Sequence, residues 1–70
     1  KRQDVDFYEK KEGALKQHST ISKKARGKMA AWIVLHQIQD KAELRNFDVD
    51  GYTFVESISK ENHYCFVKEV

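Results

Sequence analysis

Four cations fall within the seven residues Ser22-Lys23-Lys24-Ala25-Arg26-Gly27-Lys28. The lysines offer point charges, and Arg26 adds a planar fork that can hold two oxygens of a phosphate at once. Good helix formers follow the run, and the Ser22 hydroxyl suits an N-cap, where it accepts from a free backbone N–H. The run is therefore expected in the first two turns of a helix that begins at Lys23. A helix start is partly positive, so each cation there is disfavoured by roughly a few tenths of a kcal/mol. A bound anion reverses that sign, because the free N–H groups are ready ligands for it. Gly27 has no side chain, so a phosphate or another backbone can come close. It also weakens a helix by about 1 kcal/mol relative to Ala. The run Ser22–Lys28 is thus a candidate anion-binding surface. A solvated basic turn explains the same run without a ligand, and the residues alone leave the two readings level.

Other chemistry-bearing residues carry less. Asn46-Phe47-Asp48-Val49-Asp50-Gly51 begins like a calcium loop, but the twelfth position is Ser57 and Glu56 falls one residue short of the required bidentate carboxylate. An ordinary acidic turn with Gly51 at positive φ is the better reading. His18, His36, His63 and Cys65 do not form a zinc motif, since His63-x-Cys65 supplies only two ligands on one strand face. His36 lies in an apolar helix and reads as a core histidine. Whether Cys65 pairs with a histidine depends on spatial proximity, which spacing does not give. No metal, cofactor or catalytic residue is assigned. Tyr8, Trp32, Tyr52, Phe54, Tyr64 and Phe66 could stack on bases, yet their spacing is that of strand and helix cores.

The elements that must position these residues follow from periodicity and turn chemistry. Val5–Lys10 alternates as a strand, Glu12-Gly13 turns it, and Ala14–Ser19 returns as a second strand. The helix from Lys23 runs to about Gln39. Its middle, Met29-Ala30-Ala31-Trp32-Ile33-Val34-Leu35, is apolar all the way round, which predicts burial on every side. Asp40 and Glu43 have capping-box spacing for a short second helix, Lys41–Asn46. Asp48–Gly51 breaks the chain, Tyr52–Ser57 reads as a third strand, Lys60-Glu61-Asn62 turns, and His63–Lys68 is a fourth. The fold class is α+β, ordered ββααββ: two hairpins around a long buried helix and a short second helix.

A chain of 70 residues is one domain at most. It buries only about 60% of its unfolded surface and can hardly enclose an apolar helix. The helix therefore implies part of a larger fold, or self-association. The start Lys-Arg-Gln-Asp shows neither Met nor a signal-peptide pattern and is expected to be an internal cut. The lone Cys65 permits no intrachain disulfide and suits a reducing compartment. No apolar run approaches the ~20 residues of a membrane helix. Residues 1–28 hold nine Lys/Arg against four Asp/Glu, while residues 29–70 hold four against seven. The basic half could face a polyanion, or simply water.

The run His18-Ser19-Thr20-Ile21-Ser22-Lys23-Lys24-Ala25-Arg26-Gly27 resembles the Lys-Lys-Ala-Arg-Gly segment of YaaA-like peroxide-stress proteins. The flanks agree in order: a strand with Phe7, a polar turn, an apolar helix, Phe47-x-x-x-Gly51-Tyr52-x-Phe54 and the closing Phe66-Val67-Lys68-Glu69-Val70. The resemblance covers nearly the whole chain, as the C-terminal segment of a protein several times longer. It implies a cytoplasmic bacterial protein that limits oxidative damage during peroxide stress, in connection with intracellular iron. It also implies double-stranded DNA binding through a positively charged cleft, with the family's helix-hairpin-helix element outside these residues. Lys23, Lys24, Arg26 and Gly27 match the motif, and the resemblance implies that these positions bind nucleic acid or another anion. Lys28 stands where many relatives carry an apolar residue. Phosphate contact to DNA is the first functional expectation. The alternative is part of an enzyme that binds a phosphorylated small molecule or nucleotide in the same cleft. The third is a folding segment that has no activity alone and self-associates.

Overall fold

The computed structural model describes residues 3–70, so the Lys1-Arg2 start lies outside the described residues. β1 (Asp4–Lys11) and β2 (Ala14–Lys16) form the first hairpin, turned by Glu12 at φ 52 and Gly13 at φ 81. The helix α1 spans Ser19–Leu35. A 3₁₀ helix at Lys41–Asn46 follows, started by Asp40, whose Oδ1 accepts from Ala42 N at 3.0 Å. β3 (Thr53–Phe54) and β4 (His63–Glu69) form the second hairpin. The α+β class, the element order and both hairpins agree with the sequence reading.

The hairpins join edge to edge in one sheet of order β2-β1-β4-β3. β1 and β4 pair in parallel at its centre, from Asp4 opposite His63 to Lys10 opposite Glu69. Parallel neighbours need a long crossover, which α1 and the 3₁₀ segments provide. The core comprises Phe7, Tyr64 and Phe66 from the strands, Ala25 and Met29 from α1, and Leu44, Phe47 and Tyr52 from the connection. Phe7 stacks on Phe66 at 5.5 Å, and Phe47 meets both rings edge-on. Core packing is thus what most of the aromatics do.

Three expectations change. The first is the helix boundary. α1 starts at Ser19 with His18 as an extended N-cap, so Ser22 is not the cap. The Ser22 hydroxyl instead donates to the Phe7 carbonyl at 3.3 Å, from a residue only 3% exposed. The second is burial. Of the residues in α1, only Ser22, Ala25 and Met29 are buried, while Val34 and Leu35 are 76% and 77% exposed. Within these residues the sheet covers one helical stripe, and no second layer covers the other side. His36 likewise is exposed at the helix end, its ring 5.4 Å from Trp32, rather than in the core. The third is strand length. β3 stops at Phe54, because Glu56–Ile58 turns into a 3₁₀ helix and Ser59 Oγ accepts from Cys65 N at 2.9 Å.

Candidate anion-binding surface

The basic run sits deeper in α1 than its residue types suggest. Ser19, Thr20, Ile21 and Ser22 form the first turn, and Ser22 N bonds to His18 O at 2.8 Å. Lys23 therefore begins the second turn. The field of a helix end falls off within about one turn, so the free N–H groups belong to residues ahead of the cations. The four cations and Gly27 do not share one surface. Lys23 and Lys24 are exposed and make no ion pair among the described residues. Arg26 turns to the edge of β1, where its Nη2 donates to Asp6 Oδ1 at 3.0 Å and to Val5 O at 3.4 Å. Lys28 turns the opposite way and pairs with Asp50 in the acidic turn. Gly27 faces open space: a Cβ there would meet nothing within 4 Å.

Ser22 and Arg26 do the same structural job. The first half of β1 has β4 on one side and no strand on the other, since β2 reaches only to Glu9. The carbonyls of Val5 and Phe7 at that edge are met by the Arg26 and Ser22 side chains. The Phe7 carbonyl is the buried one of the two and needs such a partner; the Arg26 contact lies at the exposed rim.

Asp6 is the hub that sequence reasoning missed. Its Oδ1 accepts from Arg26 Nη2 and from Gln17 Nε2, each at 3.0 Å, and its Oδ2 lies 2.6 Å from His63 Nε2. One carboxylate thereby ties β1 to α1, to the loop before it and to β4. Burial pushes the Asp6 carboxyl up, but the hydrogen bonds from His63 and Gln17 and the charges of His63 and Arg26 outweigh it and hold the group below its usual 3.8. A carboxylate between apolar Val5 and Phe7 was the available signal; which groups would reach it depends on the parallel register. Gln17, Ser19, Ser22, Lys23 and Arg26 line a shallow depression of about 320 Å³ with Asp6 in it.

The remaining candidates resolve locally. Cys65 Sγ is 4.0 Å from His63 Nε2, the same nitrogen that faces Asp6. A base orients by one nitrogen and works through the other, so this histidine is not set up to deprotonate the thiol. Burial, then the negative charge of Asp6, also pushes the Cys65 thiol up. Among the described residues no group of three or more His, Cys, Asp or Glu is arranged to hold a metal ion. In the acidic turn Asp50 and Gly51 take φ 60 and 84, and the Lys28 hydrogen bond lowers the Asp50 carboxyl. No helix among the described residues is long and apolar enough to cross a membrane.

Residues 1–58 match the family model described as Peroxide stress protein YaaA. Over 63 residues the chain is 46% identical to a UPF0246 protein of Clostridioides difficile (strain 630). It is 39% identical over 64 residues to a UPF0246 protein of Streptococcus gordonii (strain Challis). It is 40% identical over 65 residues to one of Francisella tularensis subsp. novicida. These matches take in 90%, 91% and 93% of the chain but only 26% of each relative. The chain thus spans about a quarter of the length of these curated relatives.

Proposed function

Starting from a chain that belongs to the YaaA peroxide stress protein family, we propose that it forms the C-terminal wall of a cytoplasmic peroxide-stress-response protein that binds double-stranded DNA through its phosphates. The observation that carries this reading is the adjacent pair Lys23 and Lys24, exposed on α1 and without an ion pair among the described residues. Two unpaired cations on one rigid helix suit backbone phosphates, which fix orientation and carry no sequence information. Arg26 contributes as a held cation. One of its guanidinium nitrogens is bound to Asp6 and Val5, which fixes the fork beside Lys23. Gly27 opens on the outer side of the helix and has no side chain to contribute to the contact set. Lys28 is spent on Asp50 and has no place in the contact set.

The test uses the Clostridioides relative carrying this segment in place of its own matching residues. Replacing Lys23 and Lys24 by Ala is expected to weaken duplex binding roughly tenfold or more at physiological salt. The slope of log affinity against log salt should fall by about 2, for two phosphates no longer neutralised. Unchanged affinity and slope would remove these residues from the interface.

A second reading has one observation in its favour. The depression beside Lys23 and Arg26 also presents Ser19 and Gln17, polar groups suited to a phosphorylated small molecule or nucleotide. Its volume of about 320 Å³ is at the low end for ligand sites. Competition separates the two: a mononucleotide that displaces duplex from the grafted protein at micromolar concentration would favour this reading.

A further inference from the structure

The outer side of α1 changes character along its length. Its first half presents Lys23 and Lys24 to solvent. From Met29 to Leu35 there is no charged residue, yet Ala30, Ala31, Val34 and Leu35 are all exposed. Residues three and four apart share a helix face, so these four gather on one side, turned away from the stripe of Ser22, Ala25 and Met29 that the core covers. Val34 and Leu35 are more than three-quarters exposed. Two large aliphatic side chains side by side in water are costly, at about 1.5–3 kcal/mol of burial forgone for each.

Gly27 adds an independent observation. It sits one turn before Ala31 on the same outer side, and a Cβ there would meet nothing in this chain. Nothing among the described residues needs a glycine, although it weakens the helix by about 1 kcal/mol. A Gly27-Ala30-Ala31 surface lets another backbone come close, which is what an absent packing layer would use.

We infer that the outer face of α1 formed by Ala30, Ala31, Val34 and Leu35 docks the remainder of the family's chain, the part of the relatives that lies outside the 26% spanned here. Two considerations choose this occupant over a second copy. Four side chains fall well short of the about 800 Å² per partner that a stable dimer uses. A segment tethered in the same polypeptide needs far less area, because tethering supplies a high effective concentration. The relatives also possess the necessary length of chain. The inference concerns assembly and does not rest on phosphate contact by Lys23 and Lys24.

The test compares thiol labelling of Val34→Cys in two settings. Cys65 is 3% exposed, so it contributes little to the fast phase. In the 70-residue chain the new thiol should react as an exposed one. In the Clostridioides relative carrying this segment, labelling should slow at least tenfold. The same measurement at the aligned position of the unmodified relative covers a graft that does not fold. Equal rates in the chain and in the intact relative would overturn the inference. A companion variant, Val34→Gln with Leu35→Gln, adds no charge at the helix end and should leave melting of the 70-residue chain nearly unchanged while lowering that of the graft. Equal sensitivity in both would count against docking. So would a dimer of the 70-residue chain that the double substitution dissolves, which would assign the face to a second copy.

Discussion

At the residue scale, Asp6 decides more than any member of the basic run. Three donors from three parts of the chain meet its two oxygens. Asp6→Asn keeps the shape, removes the charge and leaves Arg26 and His63 without their carboxylate. The pair is partly exposed, so the expected loss is modest, about 1–2 kcal/mol in chemical denaturation. The pH dependence has a definite sign. The folded Asp6 carboxyl is held below its usual 3.8, so its contribution is fully present above that value. It is lost as pH falls through the depressed folded value. Melting curves from neutral pH into that acid range should therefore show a steeper decline for the natural chain than for Asp6→Asn. Parallel curves would mean that the carboxylate is not coupled to folding. The sequence signalled a carboxylate between Val5 and Phe7, but not the partners that reach it. His63 and Cys65 drew attention as potential metal or nucleophile partners, while the partner of His63 is a carboxylate 57 residues away.

At the element scale, the start of α1 separates what local chemistry can tell from what packing overrides. Ser22 followed by helix formers has the composition of an N-cap, and on propensity alone that is sound. The register fails because the edge of β1 offers a carbonyl that needs a donor, and Ser22 is one turn inside the helix when it reaches it. The short second helix was legible to the residue, because Asp40 caps it through a contact only two positions away. Local interactions are readable from spacing; a side chain claimed by a distant strand is not. Two substitutions separate the registers. An N-cap accepts Asp as readily as Ser, but at a buried position an unpaired carboxylate should cost about 3 kcal/mol or more. Ser22→Asp is therefore expected to unfold much of the population. His18 is the true cap residue and makes no side-chain cap bond. His18→Ser should stabilise the chain by about 1 kcal/mol, losing only an exposed contact to Glu9. Opposite results for the pair would return the helix start to Lys23.

At the scale of the whole molecule, the parallel pairing of β1 with β4 closes the chain on itself. Alternation identified the strands and turn residues identified both hairpins. Which strands meet across the sheet is a long-range choice, made by burial of Phe7 beside Phe66 rather than by any local signal. The same topology explains why the helix was expected to be enclosed and is not. One four-stranded sheet has one core face for α1 to cover, and these residues hold no second layer. Phe66 is fully buried, and its ring touches those of Phe7, Phe47 and Phe54. Truncating such a ring costs about 3–5 kcal/mol. A chain of 70 residues has a stability of roughly 3–10 kcal/mol in all. Phe66→Ala should therefore leave a large fraction unfolded at room temperature and move every probe together, since both hairpins depend on that contact. Trp32 reports on the helix side of the core through its edge contact with Phe47 at 5.5 Å. Its fluorescence transition should coincide with the loss of sheet signal in circular dichroism. If Trp32 keeps its native emission while the sheet melts, α1 and the connection hold together without β4, and the central strand pair is not what unites this fold.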